Sequence, residues 1–388
     1  MAPQITARAL RALPERPNLE HLRKEAKQRL KLLRHADPSA TLAVAQREVA
    51  RDYGLSSWRR LVALFRPTAG IVPDVPDWRD HWARVTQMLE ARDRGDWRAM
   101  EKTYRELIAH TRPTRRDSLE ADFAFSLVQY SKKPEEARRI FDRLMRKPTP
   151  EIMAYYARFA HMIGETDIDQ WEAMLRRAVA LGDDAVAFNH YANFLWRERN
   201  NRAEAERWFR KAAEMDTGSP DSDAAMRGIY ATFLWEGGDP VTAETWFHLA
   251  FLKSRMDLQA ISSFAAMLTA TGRVDAGLAL VTELLSHPRL QELPKRIACG
   301  FELLGWFLRY AHGDEGMRRH ALTEIRARLA GCQPLGRFLD LGRNARAAAA
   351  AGHPAADLVA ASAKMLQSDA GRAAEALAEV ERCPAWRD

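Results

Sequence analysis

The sequence predicts an all-α fold, in which a solenoid of antiparallel helical hairpins follows a small basic helical module. The first observation behind this prediction is a phrase of the form aromatic-Ala-x-apolar-Leu, found at residues 191–195 and 230–234. Looser copies begin at Phe123, Tyr156 and Phe264, so the five copies start 33, 35, 39 and 34 residues apart. A period of that size is typical of stacked helical hairpins rather than of a single globular core.

The second observation is the pattern that follows each phrase, where a polar turn precedes a small residue and then large apolar ones. The small residues are Ala137, Ala205, Ala243 and Ala276, and the apolar pairs are Ile140 with Phe141, Trp208 with Phe209, Trp246 with Phe247, and Ala279 with Leu280. A small residue lets two helices approach closely, and a side chain three or four positions later lies on the same face. The turns carry Gly, Asn or Pro, which suit helix ends and helix starts.

Together these residues resemble the tetratricopeptide repeat (TPR). In the clearest copy, the first helix carries Phe188, Tyr191, Ala192 and Leu195, and the second carries Ala205, Phe209 and Ala212. Ala192 replaces the Gly of the family pattern, and the closing Pro is absent. In the copy around Tyr156, Trp171 stands where a small residue belongs. The resemblance covers roughly residues 80–290 and implies a TPR-like α-solenoid that binds rather than catalyses.

Composition and turn residues divide the chain into four expected parts. These are a basic three-helix module over 1–66, a Pro-rich linker over 67–77, the repeat array over 78–335 and Ala-rich capping helices over 336–388. The linker contains Pro67, Pro73 and Pro76, which favour an extended connection.

The first part holds the excess positive charge of the chain. Residues 1–66 contain 14 Lys and Arg against 6 Asp and Glu, whereas the whole chain has a net charge of +7. An apolar stripe on its first helix predicts packing on one side, and it consists of Leu19, Leu22, Ala26, Leu30 and Leu33. The basic patch expected away from that stripe consists of Arg23, Lys24, Lys27, Lys31 and Arg34.

This module also has a resemblance of its own. Residues 16–27 and 53–61 are similar to a helical leader found ahead of ankyrin repeats in many bacterial proteins. The resemblance implies a bacterial origin and a repeat-protein context, but no activity.

The sequence offers no pattern for chemistry. It lacks a Gly-rich phosphate loop, a nucleophile elbow, paired metal-binding histidines and Cys-x-x-Cys, so we expect no catalytic residue, metal or cofactor. No apolar run approaches the ~20 residues that span a membrane, and the N-terminal residues lack a signal segment. The odd set Cys299, Cys332 and Cys383 fits reduced thiols in a cytoplasmic protein without membrane contact.

The TPR resemblance also implies a binding groove, because the first helix of each hairpin lines the concave face in that family. The positions that carry over are Arg158, His161, Asn189, Asn193, Trp196, Arg197, Thr232, Trp235 and Glu236. In the family, an Asn at the position of Asn193 often holds a peptide backbone or a terminal carboxylate, and Arg158 would add charge. Two alternatives stay open: that these are ordinary solvated residues, and that Trp196 and Trp235 are buried against the next repeat.

Two main functions remain open at this stage. The first is a non-enzymatic adaptor that captures a protein or peptide in the groove. The second is a nucleic-acid-associated protein in which residues 1–66 contact phosphates while the repeats recruit a partner. We favour the adaptor, because the charge is modest and a basic helix also fits an acidic protein surface. A sensor for a signalling peptide or a toxin is a weaker third hypothesis. The partner, the pathway and the oligomeric state do not follow from the sequence.

Overall fold

The structure is a computed structural model that describes residues 19–52, 96–111, 113–129, 132–292, 295–329, 339–368 and 373–387, with a few positions between 58 and 91. These residues form nineteen α-helices and no β-strand, which confirms the predicted all-α fold.

The helices follow one another with short turns. The first eleven are α1 (Leu19–Ala36), α2 (Leu42–Asp52), α3 (Trp97–His110), α4 (Pro113–Gln129), α5 (Pro134–Leu144), α6 (Pro150–Met162), α7 (Ile168–Leu181), α8 (Ala185–Arg197), α9 (Arg202–Ala213), α10 (Pro220–Glu236) and α11 (Pro240–Lys253). The others are α12 (Leu258–Ala270), α13 (Val274–Leu285), α14 (Pro288–Glu292), α15 (Lys295–His312), α16 (Glu315–Leu329), α17 (Gly342–Ala350), α18 (Ala356–Leu366) and α19 (Ala373–Arg382). A single 3₁₀ turn, Pro384–Trp386, follows.

Side-chain caps explain where most helices of the array begin. An oxygen of the capping side chain accepts a backbone N–H of the first turn, which would otherwise have no partner. The residues that do this are Asp96, Thr149, Asp167, Asp184, Asn201, Ser219, Asp239 and Asp257.

The turns inside the hairpins form as their residues predict. Asn200 has a left-handed backbone, with φ of 52°, and Asn201 then caps α9. Gly238 has φ of 89°, Asp239 caps α11, and Pro240 is its first residue. Left-handed backbone suits Gly and Asn because other side chains clash there.

Consecutive helices pack into hairpins. The pairs are α4 with α5, α6 with α7, α8 with α9, α10 with α11, α12 with α13, and α15 with α16. The first helices also contact one another, because α4 packs on α6, α6 on α8, and α10 on α12. This arrangement is the predicted solenoid.

The alanine of the repeated phrase is fully buried in all five copies. Ala124, Ala157, Ala192, Ala231 and Ala265 are all 0% exposed. The small residues of the second helices, Ala137, Ala205 and Ala243, are also 0% exposed.

One second helix differs in register from the sequence prediction. In α13 the buried small residue is Gly277 rather than Ala276, and the buried apolar residue is Val281 rather than Leu280. A Cβ atom at Gly277 would lie 2.5 Å from Thr269 Cγ2 and 3.0 Å from the backbone oxygen of Ala265. This shift by one residue occurs because only glycine fits against α12 at that point.

The C-terminal helices do not simply extend the array. Helix α17 packs on α15 and also on α12, which lies one hairpin further back, and α18 packs on α15. Residues 260–269 of α12 are buried, and Asn344 of α17 donates hydrogen bonds to Ala266 and Thr269 of α12. Helices α17 and α18, which we call the C-terminal hairpin, therefore cover the first-helix face of the last repeats.

Some predictions fall outside the described residues. These are the linker 67–77, most of the third N-terminal helix, most of residues 78–95 of the repeat array, and Cys332. Cys299 is in a disulfide, so the expectation of reduced thiols is wrong for that residue, while Cys383 is a free thiol. None of the described helices is both long and apolar enough to cross a bilayer.

We predict that Ala192→Trp and Ala231→Trp will each destabilise the protein strongly, because both side chains are 0% exposed between packed helices. Overpacking a core costs about 1–3 kcal/mol, and neighbouring hairpins depend on each other. Thermal melting followed by circular dichroism measures the effect. Ala173→Trp is the matched control, because Ala173 is exposed on α7. Melting within a degree or two of the parent for both core variants would contradict the repeat register.

Candidate functional site

Each first helix keeps one stripe of side chains outside the hairpin core. On α8 the stripe consists of Val186, Asn189, His190, Asn193 and Arg197, none of which is among the buried residues of that helix. The repeat spacing places equivalent stripes on α4, α6, α10 and α12. We call this shared surface the inner face.

Equivalent residues of neighbouring stripes form rows across the inner face. Row 1 contains Ser118, Glu151 and Val186; row 2 Asp122, Tyr155, His190 and Ile229; row 3 Phe125, Arg158, Asn193 and Thr232; and row 4 Met162, Arg197 and Glu236. Their side chains meet across the helices. Ser118 Oγ donates to Glu151 Oε2 at 2.5 Å, the rings of Tyr155 and His190 meet edge-on at 5.1 Å, and the Arg158 guanidinium lies 4.6 Å from the centre of the Phe125 ring.

Arg158 is the exposed cation at the centre of this surface. It forms no ion pair with any described residue, and Phe125 holds its guanidinium by a cation–π contact. A guanidinium held in this way presents several N–H donors to an anion.

Two neutral side chains lie beside Arg158. Burial first, and the charge of Arg158 second, lower the pKa of His190 to about 4, so its imidazole is neutral at pH 7 and offers one donor and one acceptor. Burial raises the pKa of the Tyr155 hydroxyl above its ordinary value, and the carboxylates of Asp122 and Glu151 raise it further. The hydroxyl therefore stays protonated.

The two asparagines of α8 bind each other. Asn193 Nδ2 donates to the backbone oxygen of Asn189 at 2.9 Å and to its Oδ1 at 3.1 Å. A ligand that accepts from Asn193 Nδ2 must exchange at least one of these bonds.

Three of the predicted groove residues instead pack between helices. His161 stacks on Trp171 with ring centres 4.4 Å apart, and Trp196 meets Phe233 edge-on at 5.2 Å. Trp235, at the equivalent position of the next hairpin, is only 2% exposed. The expectation that this column of aromatic residues faces a ligand is corrected here, because the column faces the second helices and the next repeat.

Thr232 also differs from the prediction. It is 5% exposed, and its Oγ1 donates to the Gly228 backbone oxygen within α10. Its position in row 3 lies where the inner face becomes covered, so the threonine does not line an open surface.

The C-terminal hairpin provides that cover. Arg343 donates to the backbone oxygens of Trp235 at 2.7 Å and Glu236 at 2.9 Å, at the end of α10. Asn344 is 0% exposed, and its Nδ2 donates to the Ala266 backbone oxygen and to Thr269 Oγ1. Arginine donors at the carbonyl end of a helix satisfy groups that have no partner within the helix.

A cleft of about 1060 Å³ is lined mostly by residues between Leu339 and Glu379, and Arg197 and Glu236 of row 4 also line it. Burial raises the pKa of the Glu236 carboxyl to about 7, although the charge of Arg197 acts in the opposite direction. Row 4 therefore changes charge near neutral pH.

The five residues of the predicted basic patch lie on α1, and the patch stays a prediction. Arg23, Lys24, Lys27, Lys31 and Arg34 are all exposed on α1. These residues do not belong to the inner face.

Several residues of the site were absent from the sequence prediction. Phe125, Tyr155 and His190 have the same phase on their helices as Arg158 and Asn193, so the repeat spacing could have found them. Arg343 and Asn344 lie more than 70 residues from their partners, and their local sequence does not predict those contacts.

No model of a known protein family matches the chain, nor does any curated protein. Among solved structures, the chain is similar to the C-terminal part of a TPR repeat-containing protein from Cytophaga hutchinsonii. The sequence identity is 12%, the alignment covers 68% of this chain and 95% of that chain, and the TM-score is 0.38. The resemblance of residues 16–27 and 53–61 to an ankyrin-repeat leader has no support among these comparisons and stays a prediction.

We predict that stability falls between about pH 6.5 and about pH 4, because buried histidines are neutral when folded and bind protons when unfolded, with an ordinary pKa of about 6.5. Burial and the charge of His353 lower the pKa of His312 to about 4. His312 Nε2 lies 3.2 Å from Asn344 Nδ2, and His353 Nδ1 accepts from the Ala355 N–H.

The measurement is the melting temperature at about pH 7 and about pH 5, on either side of the ordinary histidine pKa. The difference should be smaller for His312→Gln than for the parent, since glutamine does not titrate. His110→Gln is the control, because His110 is exposed on α3. An unchanged difference in His312→Gln would contradict the prediction.

Proposed function

We propose that the protein is a non-enzymatic adaptor that captures a protein segment on the open inner face of α4, α6 and α8. The observation that carries the proposal is Arg158, an exposed guanidinium without an ion pair to any described residue, held on Phe125. An unpaired cation with neutral hydrogen-bonding neighbours is suited to a carboxylate.

The charges around Arg158 favour one orientation of such a ligand. Row 1 and the α4 end of row 2 carry the carboxylates of Glu151 and Asp122, while row 4 carries Arg197. Two anions brought close together repel each other, so the carboxylate of the ligand belongs at rows 3 and 4. Basic or neutral groups of the ligand fit rows 1 and 2.

The C-terminal hairpin leaves only part of the inner face open to a partner. Residues 260–269 are already buried, with Asn344 of the C-terminal hairpin bound to Ala266 and Thr269, and Arg343 occupies the carbonyl oxygens at the end of α10. We therefore place the partner on α4, α6 and α8.

The test begins with affinity capture from the native host by the full chain, followed by mass spectrometry. A captured partner should bind the Arg158→Ala, Asn193→Ala double variant more weakly, without loss of melting temperature. Hydrogen bonds to charged groups contribute about 1.5–3 kcal/mol each, which corresponds to about a 10- to 150-fold loss of affinity per bond.

The matched control is Arg177→Ala, which removes an exposed arginine from α7, a second helix. Peptides from the partner, with a free or an amidated C-terminus and with acidic side chains replaced, identify the carboxylate. Unchanged affinity in the double variant, or equal loss in the control, would show that the partner binds elsewhere.

A further inference from the structure

Helix α1 carries its basic residues in one straight stripe. At about 100° per residue, Arg23, Lys27, Lys31 and Arg34 share one sector of the helix, and Lys24 lies at its edge. All five side chains are exposed. From Arg23 to Arg34 the stripe runs about 16 Å along the helix.

Two carboxylates of the module pair with an arginine outside the stripe, and one carboxylate pairs within it. Arg29, on the opposite side of α1, forms ion pairs with Asp52 at 2.5 Å and Glu48 at 3.2 Å, both on α2. In the stripe, Lys24 pairs with Glu20 at 3.1 Å, whereas Arg23, Lys27 and Lys31 have no ion pair with a described residue. One arginine thus holds the two helices together, and the stripe remains available to a ligand.

We propose that this stripe is a sequence-independent contact for the phosphate backbone of duplex DNA. About 16 Å of duplex carries roughly ten phosphates, so a straight row of cations meets a dense row of anions. Helix α1 has no Phe, Tyr or Trp, whereas proteins that bind single strands stack bases on aromatic side chains.

The packing of α1 disfavours a membrane as the ligand. A helix that binds a bilayer surface inserts its apolar face, but Leu22 and Ala26 of α1 are buried in this module and α1 packs on α2. The exposed stripe itself holds charged side chains only.

Binding of a labelled duplex of about 20 base pairs to the full chain, measured by fluorescence anisotropy, tests the proposal. With about four phosphate contacts, raising the salt concentration from about 50 to about 200 mM should weaken binding roughly 150-fold. The Lys27→Glu, Lys31→Glu variant should bind at least ten times more weakly at the lower salt concentration. The slope of its log affinity against log salt concentration should correspond to about two fewer phosphate contacts than in the parent.

The control variant is Arg98→Glu, Arg139→Glu, which changes the net charge equally at exposed sites of α3 and α5. It should keep the affinity of the parent, and circular dichroism should show that both variants remain folded. The Lys27→Gln, Lys31→Gln variant neutralises the two charges instead of reversing them, and we expect an intermediate loss of affinity for the duplex.

Three results would overturn the proposal. The first is no binding of the parent at the lower salt concentration, or equal loss in both charge variants. The second is tighter binding to vesicles of anionic lipid than to the duplex. The third is equally effective competition by polyglutamate, which would identify an acidic protein surface as the ligand.

Discussion

A buried alanine at one position of each first helix is the constraint on which the rest of the structure depends. Ala157, Ala192 and Ala231 have no exposed surface. Because this small buried residue recurs at the same position of the repeat, each first helix turns the same side toward its neighbours. The stripes on α4, α6 and α8 then come into register, and side chains one repeat apart meet in rows. The pairs Phe125–Arg158 and Tyr155–His190 exist because of that shared rotation.

The chemistry of the rows changes along the array. At α4, α6 and α8 the rows contain charged and hydrogen-bonding side chains, whereas row 2 of α10 continues with Ile229 and row 3 of α12 with Ala266. Small and apolar groups at this end allow another helix to approach closely, and α17 does so. The change in composition therefore divides the inner face into a part closed by the chain itself and a part left for a ligand.

The sequence predicted the features that depend on residues close together in the chain. Helix starts at Asn201 and Asp239, and the turns before them, follow from local capping and backbone preferences. The register of α13 could not be predicted from the local sequence, because Ala276 fits the pattern equally well and only contact with Thr269 selects Gly277. In the site, the rows could be inferred from helix phase. The burial of Thr232 and Trp235 could not, since it depends on packing against other hairpins and on a C-terminal hairpin more than 100 residues away.

Row 4 lies on the boundary between the closed and the open parts. Arg343 caps the carbonyl end of α10 beside Glu236, and Arg197 lies over the ring of its neighbour Trp196 at 3.6 Å. The arginines around Glu236 act to lower its pKa, but burial outweighs them and raises it to about 7. The carboxyl is therefore only partly ionised at neutral pH, and it cancels only part of the positive charge of Arg197. An acidic segment held by Arg158 at row 3 therefore meets a second cation at row 4, whereas the cleft beyond is lined by more carboxylates than cations and does not extend the positive charge.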